Sequence, residues 1–408
     1  MNVPLSRSIR LLAALLPALA LSGCWSKLEL PERGFVQAIA IDLSDTGRID
    51  LVTHLYKPAG ANTLDQAASK SSFVNIRTQG ASVFDAVRDI TIHLGRKAQW
   101  SHMRAIVVGE AAAQKAGMRT LLDYFTRDHE PRGTITVLIA KGLARDLLDI
   151  KPLIENTMGQ QLREVERTAF EYTGKTVTSR LLDLNIQLKS ETGIGMLPYV
   201  SISEEKPKTT TVAGLALIKG DRLELPVLSP SETEGLLLLN NKYRNGIIDT
   251  PCSARQEAAD DRLVKEAFEI RHAFSKMDMD IQGEEIKVSY KIKLEGSVGE
   301  LHCQRVSNME EESDFERRAA KYTRDSLAKT VAQLQKRKID ALGIGTAISR
   351  KNPALWNRLK ENWDHRFADI PIQIEVQVNV ISTGMNAFAP MPGLTAGSRL
   401  SQAGTADG

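Results

Sequence analysis

Cys24 is the residue whose neighbours most clearly prepare it for a covalent reaction. A positive head with Arg7 and Arg10 precedes an apolar stretch from Leu11 to Leu21 that is broken only by Pro17. That stretch is too short to cross a hydrocarbon core of roughly 30 Å, but it suits the apolar region of a secretory signal. Leu21-Ser22-Gly23-Cys24 follows. Small residues before a cut fit a peptidase pocket, and a thiol just after it supplies the nucleophile for diacylglyceryl transfer. The pattern resembles the bacterial lipobox. Residues 1–23 are therefore expected to be a removed signal, Cys24 the acylated first residue of the mature chain, and residues 24–33 a lipid-anchored tether. One acyl chain binds a membrane only marginally, whereas two or three, at about 0.8 kcal/mol per buried methylene, anchor stably.

No other set of residues makes so complete a case. His93 and His102 are too far apart to share a helical face, which favours two unrelated histidines. Asp128-His129-Glu130 are metal-ligand types, but consecutive residues seldom converge on one ion, so a solvated turn before Pro131 is expected. Glu300, His302 and Cys303 would need further ligands from elsewhere to hold zinc. Gly193-Ile194-Gly195 and Gly343-Ile344-Gly345 each look like part of a phosphate-binding loop. Neither is followed by the remaining glycine and helix start, so both are expected to be turns. A G-x-S-x-G elbow and a Walker lysine are both missing. No catalytic residue, cofactor or metal is expected. Cys252 and Cys303 either pair, in a compartment that permits disulfides, or remain free thiols.

Composition narrows the classes further. The 408 residues are 42% hydrophobic and 25% charged, ordinary values for globular protein. The formal net charge is +3, and Arg7 and Arg10 of the leader supply two of those positive charges. A near-neutral mature chain gives no electrostatic footprint for nucleic acid or for a strongly acidic substrate. No later segment approaches eighteen uninterrupted apolar residues.

The elements that must carry any site can be read from periodicity. Phe35–Asp42 and Arg48–Tyr56 read as strands joined near Gly47, and Ala59–Ser72 as a loop. Ser82–Leu94 has helical spacing of Val83, Val87, Ile90 and Leu94. Ala105–Val108 and Thr134–Ala140 read as buried strands, and Leu121–Phe125 and Ala144–Ile150 as helices. Residues 34–205 are expected as an N-terminal mixed α/β domain, with Thr173–Asp183 as a further helix. Thr211–Ile218 and Arg222–Val227 form a hairpin about Lys219-Gly220-Asp221, inside a small middle domain of residues 206–258.

Residues 259–384 carry the clearest pattern. Ile286, Val288, Tyr290, Ile292 and Leu294 alternate with polar residues, as do Ile372, Ile374, Val376, Val378 and Val380. Between them Ser313, with Glu316 three residues on, is expected to open a long helix. Its apolar stripe is Ala319, Thr323, Leu327, Val331 and Leu334, and Lys321, Arg324, Lys329 and Lys336 face solvent or anionic headgroups. The expected class is α+β, or mixed α/β, in three domains, with a C-terminal antiparallel sheet packed on that long helix. Residues 385–408 are expected to be a disordered tail.

Several separated stretches together resemble one family, the Ger(x)C spore germination proteins. Gly23-Cys24-Trp25, Leu28-Glu29-Leu30 and Gly34-Phe35-Val36 resemble the family's start. The helix Ser82–Leu94, His102, Ile106-Val107-Val108-Gly109-Glu110, Asp123-Tyr124 and Arg127 continue the likeness. Ala213-Gly214-Leu215-Ala216 and Glu234-Gly235-Leu236-Leu237 resemble its second domain. Asp340-Ala341-Leu342-Gly343-Ile344-Gly345, Pro353–Trp356, Trp363-Asp364, Phe367 and Ser382-Thr383-Gly384 resemble its third. The resemblance implies the non-catalytic C subunit of a nutrient germinant receptor, held by lipid on Cys24 to the outer face of the inner spore membrane. It also implies integral membrane A-type and B-type subunits as partners. Two rivals stand beside it. A lipid-anchored solute-binding protein of a nutrient transporter would need two similar α/β lobes around a cleft, and an anchored hydrolase would need a convergent catalytic set.

Overall fold

The computed structural model describes residues 32–57, 72–251, 265–302, 306 and 308–383. The expected signal, Cys24, Cys252, Cys303, the tail, and all but the ends of the tether and of the Ala59–Ser72 loop lie outside these residues. The chain opens with β1 (Arg33–Leu43), β2 (Ile49–Tyr56) and β3 (Phe73–Gly80), each antiparallel to the one before. Next come α1 (Val83–Leu94), β4 (Lys97–Gln99), β5 (Ala105–Gly109), α2 (Glu110–Lys115), α3 (Met118–Arg127) and β6 (Thr136–Ala140). Then follow α4 (Ala144–Leu148), α5 (Met158–Thr173), α6 (Leu181–Leu188), β7 (Gly195–Ile202), β8 (Thr210–Lys219) and β9 (Arg222–Leu228). The first sheet runs β3-β2-β1-β5-β6-β7-β8-β9, with β4 paired beside the start of β1.

Strands reached through helices are parallel and those reached through short turns antiparallel, as connection length dictates. All five residues of β5 and of β6 are buried, because helices cover both faces of the sheet. Alternate side chains serve two cores. Ile39, Ile41, Ile106, Val108, Val137 and Ile139 meet residues of α1, α3 and α6. Ala38, Ala40, Ala105, Val107, Leu138 and Ala140 meet α4 and α5. The second face is rich in alanine, so a helix can approach closely: a Cβ on Gly159 would lie 2.3 Å from the Gln37 carbonyl oxygen.

A second sheet follows α7 (Pro230–Leu239), in the order β10 (Gly246–Pro251), β11 (Lys265–Gln282), β12 (Glu285–Glu300), β13 (Ile372–Ser382). It is antiparallel across β10, β11 and β12. β13 joins β12 in parallel, since the block α8 (Met309–Lys336), α9 (Ile344–Lys351), α10 (Pro353–Leu359) and α11 (Trp363–Asp369) carries the chain back to the same end. The alternating residues expected on β12 are buried, and so is the whole stripe expected on α8. The described part of residues 206–258 is shared between the sheets: β8 and β9 extend the first, while β10 begins the second.

Three local expectations need correction. The long helix starts at Met309, with Asn308 accepting the Glu311 N–H at 2.9 Å, so Ser313 and Glu316 are not its capping box. Glu316 instead accepts the N–H of Val380 on β13 at 2.7 Å. The segment Thr173–Asp183 is not one helix, because Gly174 (φ +63°) takes the left-handed C-cap that ends α5. The Gly343-Ile344-Gly345 turn does lead into a helix, α9, with Gly343 (φ +72°) at its N-cap.

One buried histidine ties two strands of the first sheet to two of the helices that cover it. The N–H of Met158 donates to His54 Nε2 at 3.1 Å, so Nδ1 must carry the ring proton, which it donates to Asn75 Oδ1 at 2.6 Å. Asn75 in turn donates to Leu148 O at 2.9 Å and to Asp149 Oδ1 at 2.8 Å. A second proton on the ring would lose the Met158 bond and place a charge in the core, so burial lowers the pKa from 6.5 to about 4. The folded state therefore binds this proton less well than the unfolded chain, and stability is lost as pH falls from 6.5 towards 4. Glu166, pushed by burial from 4.5 to about 7, acts oppositely and loses stability as pH rises through that window. The difference between wild type and His54→Leu isolates the histidine. Urea titrations should show wild type ahead at pH 7.5, with the lead shrinking by on the order of 3 kcal/mol by pH 4. A lead independent of pH would contradict the neutral buried ring.

Candidate functional site

The covalent site expected from sequence, Cys24, lies outside the described residues, but the place where its tether enters the fold is defined. Arg33 donates to Gln99 Oε1 at 2.7 Å, and Phe35 meets the His102 ring edge-on with centroids 5.4 Å apart. A Cβ on Gly34 would lie 2.6 Å from Leu94 Cδ2. The Gly34-Phe35-Val36 and His102 motifs are thus one packed contact at the root of β1. Nine residue steps from Cys24 to Arg33 span at most about 30 Å, so acylation of Cys24 would hold this edge of the fold near the membrane surface. No helix among the described residues is long and apolar enough to cross a membrane.

The candidate metal ligands do not converge: among the described residues no group of three or more His, Cys, Asp or Glu side chains could hold an ion. His93 is exposed in the last turn of α1, while His102 stacks on Phe35. In Asp128-His129-Glu130, Asp128 Oδ1 accepts the Glu130 N–H at 2.8 Å and Glu130 accepts the Trp100 N–H at 3.3 Å, while His129 is exposed. These bonds make the segment a turn. Glu300 and His302 contact each other at 3.3 Å, and Cys303 is outside the described residues.

The Gly343-Ile344-Gly345 segment resembles an anion loop, but its own chain fills it. Asp340 is buried and accepts the N–H groups of Ile344 at 3.0 Å and Gly345 at 2.7 Å, together with Trp363 Nε1–H at 3.0 Å. The N-terminus of α9 thus holds a carboxylate supplied four residues upstream. Gly345 admits no side chain, since a Cβ would lie 2.7 Å from Trp363 Nε1 and 2.8 Å from the Trp356 ring. Burial still raises the Asp340 carboxyl above its ordinary value despite these donors.

Two further charged clusters were not legible in the sequence. Arg77 grips Asp50 through both oxygens at 2.6 and 2.5 Å, and Arg145 donates to Asp50 Oδ2 at 2.9 Å. Beside them Asp42 accepts the Ala144 and Arg145 N–H groups at 2.8 and 2.9 Å, capping α4. Elsewhere Glu166 accepts the Ser179 N–H at 3.2 Å and pairs with Arg180 at 3.3 Å. Each of these acids is satisfied by protein donors and pins a helix to the sheet.

A cleft of about 580 Å³ lies where the first sheet's helices meet the second sheet. It is lined by Tyr172, Lys175, Glu234, Asp249, Lys265 and Tyr322 among others. Burial pushes the Glu234 carboxyl up to about 7; Lys175 opposes that shift and Asp249 adds to it. Glu234 stands in a family-like motif, but its cleft partners come from α5, β10, β11 and α8, and nothing in their spacing links them.

Comparison with known proteins covers most of the chain. A model described as spore germination protein N-terminal domain matches residues 26–202. A second, described as spore germination B3/GerAC like, C-terminal, matches residues 213–384. Spore germination protein KC of Bacillus subtilis (strain 168) is 23% identical over 392 residues, covering 91% of this chain and 94% of that protein. Spore germination protein B3 of the same organism is 22% identical over 378 residues, covering 90% and 95%. The crystal structure of the GerBC protein superimposes with a TM-score of 0.55 at 19% identity, over 84% of this chain and 96% of that one.

Replacing Asp340 by Ala strands three buried donors, at about 1–3 kcal/mol each, so a loss of at least about 3 kcal/mol is expected. Asp340→Asn keeps one acceptor oxygen and should lose less. Guanidinium denaturation of the two variants checks the order. An Ala variant as stable as wild type would show that Asp340 is not the anchor of this corner.

Proposed function

Because the chain belongs to the Ger(x)C family of spore germination proteins, we propose that it is the lipid-anchored, non-catalytic C subunit of a nutrient germinant receptor. The observation that carries this reading is the match of both family models in sequence, from two residues after Cys24 to residue 384. Acyl chains on Cys24 hold the protein to the extracytoplasmic face of the inner spore membrane. Trp25, beside the lipid, suits the headgroup level. The folded mass then docks on integral membrane subunits of the A and B types and supports their response to nutrient. The division at residues 34–205, 206–258 and 259–384 is kept as part of this proposal, with the middle segment contributing strands to both sheets.

The solute-binding rival draws no support from the architecture. It needs two like lobes, whereas the first sheet is mixed and layered with helices on both faces and the second has four strands.

Deleting the gene should abolish germination with the matching nutrient while leaving lysozyme-forced and pressure-forced routes largely intact. The wild-type gene should restore the response and its product should sediment with membranes, whereas the Cys24→Ser product should remain in the soluble fraction. Unchanged nutrient germination in a strain with no redundant receptor would refute the receptor role. A Cys24→Ser product that still sediments would refute the anchor.

A further inference from the structure

The seam between the two halves of the chain has the form of a binding site. Its cleft of about 580 Å³ takes Tyr172 and Lys175 from the end of α5 and just beyond, Glu234 from α7, Asp249 from β10 and Tyr322 from α8. Two glycines fix its walls. A Cβ on Gly235 would lie 2.5 Å from Thr330 Oγ1, and one on Gly246 would lie 2.0 Å from the Tyr243 hydroxyl. The close approach of α7 to α8, and of β10 to the Tyr243 loop, therefore depends on the absence of side chains there.

The charges in the cleft are unevenly matched. Lys265 and Asp249 face each other at 3.9 Å across the rim. Glu234 has no such partner: no hydrogen bond to its carboxylate forms among the described residues, and only the charges of Lys175 and Asp249 and its own burial act on it. The acids buried against the first sheet, Asp42, Asp50 and Glu166, are each met by protein donors, whereas Glu234 is half-buried on α7. A half-buried carboxylate in a cleft, met by no described donor, is open to a donor from outside. Tyr172 and Tyr322, 65% and 40% exposed, also line the cleft, and aromatic rings favour a cation. Leu238, Leu327 and Ile248 supply apolar wall.

We propose that this cleft binds a small primary amine with a short apolar stem, its ammonium accepted by Glu234 and framed by Tyr172 and Tyr322. The stem lies against Leu238 and Leu327, and an acidic group on the same molecule would meet Lys175. Such a ligand touches residues from both halves of the chain, so its binding tightens the seam. The inference is independent of the receptor reading, since it concerns binding to the purified chain and not germination.

The binding form needs an ionised Glu234. The charged and titratable groups facing it are Tyr172 on α5, Lys175 after α5, Asp249 on β10, Lys265 on β11, Tyr322 on α8 and Tyr243 beyond α7. With the free carboxyl at about 7, an ammonium ligand displaces its proton, so affinity should rise about tenfold from pH 6 to pH 8.

Calorimetry of the full-length chain with hexylammonium, 6-aminohexanoate and hexanoate tests the proposal. Both amines should bind, 6-aminohexanoate the more tightly, and hexanoate at least tenfold more weakly than either. Glu234→Gln, near-isosteric, should lower amine affinity at least tenfold and remove the pH dependence. Tyr172→Ala, at an exposed position, should lower it several-fold without touching the fold. Binding of hexanoate as tight as that of the amines, no heat with either amine, or amine binding unchanged in Glu234→Gln would each overturn it.

Discussion

The burial of Leu236, Leu237, Leu238 and Leu239 on every side is the constraint on which the rest of the structure depends. Four consecutive leucines in a helix point around its whole circumference, so α7 can only exist between two bodies. One is the edge of the first sheet, through Leu215, Leu217 and Leu228; the other is the second sheet and its helix, through Phe268, Tyr290, Leu327 and Val331. The core of the C-terminal half is therefore continuous with the last strands of the first sheet. Gly235 brings the backbone of α7 against Thr330 of α8, and the seam cleft opens beside that contact.

Away from the seam, each half is secured by buried polar groups that leave little freedom. His54, with a single permitted tautomer, joins β2 and β3 to the chain around α4 and α5. Asp340 folds the α8–α9 corner onto Trp363, and Gly345 lets Trp356 and Trp363 meet at 5.2 Å. These features account for motifs that looked catalytic. The glycines of Gly343-Ile344-Gly345 serve a carboxylate within the chain, and Asp128 and Glu130 accept backbone N–H groups of Glu130 and Trp100. Glu234 differs: among the described residues no donor meets its carboxylate.

Much of this was legible where period and burial agree. The alternation in β12, the β-branched run of β6, the Lys219-Gly220-Asp221 hairpin and the α8 stripe all gave elements in the right places. Failures came where a polar residue is buried or the period breaks. α5 hides Gln161 and Glu166 among its inward positions, so its apolar stripe is too thin to see. β11 loses its alternation at Arg271-His272, where the register with β12 shifts. The start of α8 was misplaced because Asn308 and Glu311 carry a cap one turn before Ser313 and Glu316. The cleft could not be read at all, since its residues lie on elements far apart in sequence. The expectation for Cys24 rests on its immediate neighbours alone, because a lipobox is a local pattern, and the residue lies outside the described residues.

The central claim is that a non-enzymatic fold is tethered by lipid beside a membrane receptor. Affinity purification of the tagged, full-length chain from detergent-solubilised inner membranes of spores, with mass-spectrometric identification of what accompanies it, tests that most directly. Two integral membrane proteins of the A and B types are expected in near-constant ratio to the chain, the chain itself carrying acyl groups on Cys24. Recovery of the chain alone, or with the permease and ATPase components of a transporter, would contradict it.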